Sequence, residues 1–175
     1  MRLFIAITFD DDVKNDLCDA IVRLQASSLR GNFSARDNLH LTLAFIGETR
    51  DAAGVRAAMD AVTAAPFSME ISGYGVFERR SGNIHWAGVR TCPPLTELHN
   101  ALAANLTARG FALDTGAFRP HLTLGREVVT DASFQADAFR RSMPRHIVTV
   151  DRMTLMKSER LHGRLVYTPL YVRML

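Results

Sequence analysis

Apolar residues recur at two spacings along this chain, and each spacing predicts an element. "RLFIAITF" at 2–9 is an almost unbroken run of apolar, β-branched and aromatic residues, the pattern of a mostly buried strand. Beyond it the period lengthens. Val13, Leu17, Ile21 and Leu24 fall on one face of a helix expected over about 12–29, with Gly31 as its stop. Asp10, Asp11 and Asp12 suit the start of that helix, where acids meet free N–H groups and the positive end of the dipole.

"NLHLTLAFIG" at 38–47 is the next strand, followed by a helix over 49–65 that Pro66 ends. "FSMEISGYGVFERR" (67–80) and "NIHWAGVR" (83–90) predict a hairpin turning at "SGN". Pro93-Pro94 opens a third helix with Leu95, Leu98, Leu102 and Leu106 on one face and Gly110 as its stop. A strand near 119–126 and a short helix within 131–143 follow. A long hairpin of "RHIVTVDRMTLMKS" and "GRLVYTPLYVRM" around "ERLHG" completes the chain.

The order matters more than any one element. A strand, a helix and a strand spelled HLTL occupy 2–46; strands, a helix and a second HLTL strand occupy 67–126. This predicts a duplicated unit within one domain spanning 1–175, built as an α+β fold with antiparallel sheets rather than a doubly wound parallel sheet.

Composition narrows the classes. At 175 residues, 47% hydrophobic and 22% charged, the chain is ordinary for a globular protein. No apolar run approaches the ~18 residues of a membrane helix. The first residues lack the cleavage site of a signal peptide, so a cytoplasmic location is expected. Cys18 and Cys92 form no disulfide framework or zinc-ribbon pairing and are expected as buried thiols. The net charge of +3 tolerates an anionic partner without requiring one.

The chemistry lies in the repeat. In a strand, alternate residues share a face. His40, Thr42 and Ala44 then point one way, and Leu39, Leu41, Leu43 and Phe45 the other; in the second copy His121, Thr123 and Gly125 oppose Leu122 and Leu124. The leucine faces suit packing under helices. The His/Thr faces are costly to bury unpaired. If the two strands face one cleft, two imidazoles and two hydroxyls converge there. Near neutral pH one imidazole can donate a proton while the other accepts one. The threonine hydroxyls can hold phosphate oxygens. In-line displacement at phosphorus on an ester that needs no metal, such as a cyclic phosphate, suits that set.

With these residues the chain resembles the two-histidine phosphoesterase superfamily, defined by paired His-x-Thr-x motifs, and within it the bacterial and archaeal RNA 2′,3′-cyclic phosphodiesterases, also known as 2′-5′ RNA ligases. "MRLFIAI", "NLHLTLAFIGE", "NIHWAGV", "FRPHLTLGR" and "YTPLY" carry the likeness over nearly the whole chain. The resemblance implies two lobes related by a pseudo-two-fold axis around an open cleft. It implies opening of a 2′,3′-cyclic phosphate at an RNA end, or on a small cyclic nucleotide, to a 2′-phosphomonoester, with 2′-5′ joining as the reverse. It implies His40 as proton donor to the leaving 3′-oxygen, His121 as the base that activates water, and Thr42 and Thr123 as phosphate ligands. No metal or other cofactor is implied, and a monomer is expected. Arg126 matches the arginine that often closes the second motif. Strict alternation puts it on the leucine face, so it reaches the cleft only if the strand twists or bulges.

Other candidates are weaker. His85, His99, His146 and His162 lack a partner motif and are expected to be structural or at the surface. Trp86 and Tyr74 are expected in the core, and Phe33 and Arg36 at the cleft mouth. A nucleotide-binding module without catalysis and a zinc hydrolase using His40 and His121 are the competing classes; two histidines and two threonines make a poor zinc set.

Overall fold

The computed structural model describes residues 1–114 and 116–175. Its elements, in chain order, are β1 (Arg2–Thr8), α1 (Asp11–Ala26), β2 (Ser28–Phe33), β3 (His40–Glu48), α2 (Ala52–Asp60), β4 (Phe67–Phe77), β5 (Asn83–Val89), α3 (Pro93–Ala108), β6 (His121–Thr130), α4 (Ala136–Arg141), β7 (His146–Val150), β8 (Arg152–Leu161) and β9 (Arg164–Met174). They form a four-stranded sheet ordered β3-β1-β8-β9 and a five-stranded sheet ordered β2-β6-β5-β4-β7. Every pairing is antiparallel.

The duplication is visible in those orders. β3-β1-β8-β9 of the first sheet corresponds to β6-β5-β4-β7 of the second, and β2 is an added edge. The crossover helices are exchanged. α1 leaves the first sheet at β1 and packs on β2 and β6 of the second; α3 leaves the second sheet at β5 and packs on β3 of the first. Leu3, Ile5, Leu41 and Leu155 of one sheet join Leu122, Leu124, Ala87 and Ile71 of the other in a single buried cluster. Leu95, Leu98, Leu102 and Leu106 of α3 are fully or almost fully buried in it. Each such side chain contributes roughly 1.5–3 kcal/mol by leaving water. Among the described residues no helix is long and apolar enough to cross a membrane.

Three expectations are corrected. The first helix ends at Ala26, not near 29, and Ser28–Phe33 is a strand paired with β6. This edge strand carries exposed Leu29 and Arg30 and a mixed polar sequence, so it has no apolar alternation to reveal it. The second helix is confined to Ala52–Asp60, where the Asp51 carboxylate accepts from the Gly54 N–H at 2.7 Å and caps it. The first arm of the long hairpin is divided: β7 joins the second sheet beside β4 and β8 the first beside β1, with the break at Asp151. The β8–β9 hairpin itself forms as expected.

Candidate active site

Both HLTL strands carry the same irregularity. In β3, Thr42 pairs with Ala6 and Ala44 with Ile5, so Leu43 is one residue too many. In β6, Thr123 pairs with Trp86 and Gly125 with His85, so Leu124 is the extra residue. Each bulge reverses the in–out alternation. Ala44 and Gly125 therefore fall on the buried side, and the expectation that they share the His/Thr face is corrected. The residue five places after each histidine is moved the other way. Phe45 pairs with Phe4 on the inner face and is 47% exposed. Arg126 lines the cleft and donates to the Thr123 hydroxyl at 3.5 Å, a long contact.

The cleft has a volume of about 1270 Å³, and His40, Thr123 and Arg126 are among its walls. The two histidines are held alike. Nδ1–H of His40 donates to the Asn38 carbonyl at 2.6 Å, and Nδ1–H of His121 donates to the Arg119 carbonyl at 2.6 Å. A carbonyl only accepts, so both imidazoles are fixed as the Nδ1–H tautomer when neutral, leaving Nε2 for other work. Each ring also has an aromatic collar. Phe4 and Tyr167 lie with ring centroids 4.8 and 5.2 Å from that of His40. Phe77 and Trp86 lie at 5.1 and 6.0 Å from that of His121.

The half-sites differ in how Nε2 and the threonine are used. The Thr42 hydroxyl lies 3.0 Å from His40 Nε2, donating to it when the imidazole is neutral and accepting from Nε2–H when it is protonated. Thr123 instead takes the Arg126 guanidinium, and His121 Nε2 has no hydrogen-bond partner among the described residues. Burial holds the His40 imidazolium below its usual range, with the positive charge of Arg126 and the neighbouring His121 adding to the effect against the Asn38 carbonyl. Burial likewise lowers His121, again with Arg126 on the same side and the Arg119 carbonyl opposing.

The remaining candidates separate cleanly. Phe33 lines the cleft, but Arg36 does not; it pairs with Asp11 at 2.7 Å on the outer surface. Tyr74 is buried, its hydroxyl 2.7 Å from Nδ1 of buried His85. Trp86 is not a core residue. It is half-buried on the His121 face, flat against Gly75, and its Nε1–H is buried without a partner among the described residues. His146 meets Asp16 at the surface.

Sequence reasoning did not single out Phe4, Phe77 or Tyr167. Alternation along β1 offered one signal: Phe4 and Ala6 oppose buried Leu3, Ile5 and Ile7, so β1 has a second apolar face that something had to occupy. Arg79, Arg160 and Arg164 also line the cleft, on the tips of the β4–β5 and β8–β9 hairpins. Their convergence depends on the pairing of distant strands and has no local signature.

His40 and Thr123 line the cleft from opposite sheets; Thr42 and His121 are not among its lining residues, Thr42 lying behind against His40 Nε2 and His121 close enough to act on the His40 charge. Two antiparallel sheets that repeat one His-x-Thr strand define the fold class of a duplicated phosphoesterase. A family model described as the 2′-5′ RNA ligase superfamily matches residues 13–161, and the chain belongs to that family. It is 30% identical to the RNA 2′,3′-cyclic phosphodiesterase of Thermotoga maritima, over 98% of this chain and 94% of that one. It is 34% identical to the protein of the same name in Archaeoglobus fulgidus, over 72% of each. A crystal structure of Escherichia coli LigT complexed with 3′-AMP superposes with a TM-score of 0.77 at 28% identity, covering 99% of this chain and 97% of that one.

Proposed function

We propose that this chain hydrolyses 2′,3′-cyclic phosphates at RNA ends to 2′-phosphomonoesters by two-histidine acid–base catalysis. The observation that carries the reading is the paired half-site: two imidazoles tied through Nδ1 to the carbonyl two residues earlier, one in each sheet, with a threonine two residues on. His121, with Nε2 unengaged, removes a proton from the attacking water. His40 donates a proton through Nε2 to the departing 3′-oxygen. Thr42, Thr123 and Arg126 hold the non-bridging oxygens, where negative charge grows. The proton balance closes because His121 gains one proton and His40 loses one. Running the same steps backwards, with a ribose hydroxyl as the attacking group, joins RNA ends through a 2′-5′ linkage.

The cleft favours a polymer over a lone nucleotide. Arg79, Arg126, Arg160 and Arg164 line it, and none is in an ion pair among the described residues. Arg36, Arg90, Arg140, Arg145, Arg152 and Arg173 are paired with carboxylates elsewhere. Two carboxylates also line the cleft: Asp37 lies 3.7 Å from Arg36, which offsets it, and Glu127 keeps its charge, so the four guanidiniums remain in excess. Unpaired guanidiniums on two hairpin tips fit the phosphates of an RNA strand leading to its cyclic end.

Product analysis on an RNA bearing a 2′,3′-cyclic end tests the reading. We expect a 2′-phosphate, and a loss of about 10²–10⁴-fold in kcat for H40A and for H121A. An activated p-nitrophenyl phosphodiester, whose leaving group needs no proton, should restore H40A more than H121A. A 3′-phosphate product assigns the wrong P–O bond. Nucleotide binding without turnover in the wild type would make the chain a binding module instead.

A further inference from the structure

The two bulges that shape the half-sites are not braced in the same way. In β6 the extra residue, Leu124, is covered on its outer side by the chain leaving β2: the Ser34 N–H donates to the Leu124 carbonyl at 2.9 Å, and the Ser34 hydroxyl donates to the Thr123 carbonyl at 2.7 Å. The first sheet has no counterpart of β2, because β3 is its edge. A bulged edge strand would leave the Leu43 carbonyl without a ladder partner. Helix α3, exchanged from the other lobe, supplies one: Nδ1–H of His99 donates to the Leu43 carbonyl at 2.9 Å.

His99 makes a second contact on the opposite side of the site. Its ring stacks on Phe118 with centroids 3.9 Å apart and planes within 5°. Phe118 lies three residues before His121, next to Arg119, whose carbonyl fixes His121 Nδ1. One imidazole thus touches the bulge that orients Thr42 and Phe45 and the segment that orients His121. Among the described residues no backbone ladder joins the two sheets, so the spacing between acid and base rests on side-chain packing between β3 and β6 and on bridges such as this one.

We propose that His99 is a positioning residue that locks the β3 bulge to the Phe118–His121 segment and so holds the two catalytic half-sites in register. It touches no reacting atom. The proposal rests on the cyclic phosphodiesterase reading, and its consequence follows from in-line geometry. A half-site displaced by a fraction of an ångström still binds phosphate through its own threonine, but the acid and base are no longer aligned.

Three variants separate the contacts. H99A loses both, H99N keeps a donor near the position of Nδ1, and H99F keeps the stacked ring. On a nucleoside 2′,3′-cyclic phosphate we expect H99A to lower kcat by about 10- to 100-fold, the scale of a misplaced catalytic group, with KM changed far less. H99N and H99F each cut one end of the bridge, so both should also lose kcat, by no more than H99A. A wild-type kcat in H99A, or in both single-contact variants, overturns the proposal.

A second readout needs no turnover. Trp86 is the single tryptophan and lies beside His121, so protonation of His121 should quench its fluorescence. H121A should abolish that titration, which assigns it. We expect the midpoint to move in H99A and to hold in H99F, whose ring still fixes Phe118. An unmoved midpoint in H99A overturns the link to His121. If the wild type fails to hydrolyse the substrate, the cyclic phosphodiesterase reading fails alone, and the fluorescence titration still decides the positioning role.

Discussion

At the scale of single residues, the site is governed by two imidazoles that burial makes reluctant to charge. Both His40 and His121 are lowered from 6.5, by desolvation first and by Arg126 in addition. In the proposed reaction one is protonated and the other neutral, and their two apparent values belong to the pair. With both displaced downward, the bell-shaped profile of kcat/KM should peak on the acid side of 6.5 and decline through neutrality. Arg126→Gln removes a positive charge that opposes the imidazolium forms. The whole bell should therefore move to higher pH even as the rate falls, which kcat/KM measured across pH would reveal; a profile that stays put or moves to lower pH contradicts the account. Phe45 occupies in the first half-site the place Arg126 holds in the second, with the Arg2 guanidinium 5.0 Å from its ring centroid. An exposed ring on the His40 side suits the base of the nucleoside that carries the leaving oxygen. Phe45→Ala should raise KM about 5- to 150-fold, the equivalent of about 1–3 kcal/mol of lost stacking, with little change in kcat, measured on an RNA with a cyclic end.

At the scale of elements, the bulges decide what the tetrapeptides present. Period-2 alternation assigns His40, Thr42, His121 and Thr123 to one kind of face, and that assignment depends only on neighbours two residues apart. It fails one step later, because the extra Leu43 and Leu124 are visible only in the register against β1 and β5. Ala44, Gly125, Phe45 and Arg126 all change sides for that reason. β4 also contributes to the second half-site, through close approach rather than chemistry. A Cβ on Gly75 would stand 2.1 Å from Cζ2 of Trp86. Gly75→Ala should push the indole toward His121, destabilise the fold by about 1–3 kcal/mol and depress activity. Urea denaturation followed by Trp86 fluorescence would measure the first effect, and steady-state kinetics the second. Unchanged stability and activity would mean that the indole is free to move.

At the scale of the molecule, helix exchange and charge placement matter most. α1 and α3 each cross to the opposite sheet, so each HLTL strand is backed by a helix from the other half of the chain. The arginine excess, 19 against 2 lysines, looks scattered along the sequence, yet the fold gathers Arg79, Arg126, Arg160 and Arg164 around one cleft without carboxylate partners among the described residues. An RNA chain that releases counterions on binding should show kcat/KM falling steeply with salt, with a log–log slope of about −0.7 per phosphate contacted. Arg160→Gln with Arg164→Gln should flatten that slope on an oligonucleotide and leave a mononucleotide 2′,3′-cyclic phosphate almost unaffected. Equal salt dependence for both substrates would remove the hairpin tips from the RNA path.

The sequence by itself determined the periods and the repeat: strands and helices in order, leucine-backed polar faces, and two copies of His-x-Thr whose chemistry calls for a shared phosphate. These are local properties, set by side-chain alternation and by which residue types donate or accept protons. The tertiary structure alone decided the polar edge strand β2, the division of the 145–158 segment between two sheets, the reversal of alternation at Leu43 and Leu124, and the convergence of arginines from separate hairpins. Each of these depends on which distant strand a residue pairs with, and that pairing is fixed by burying the whole core at once rather than by any neighbour in the chain.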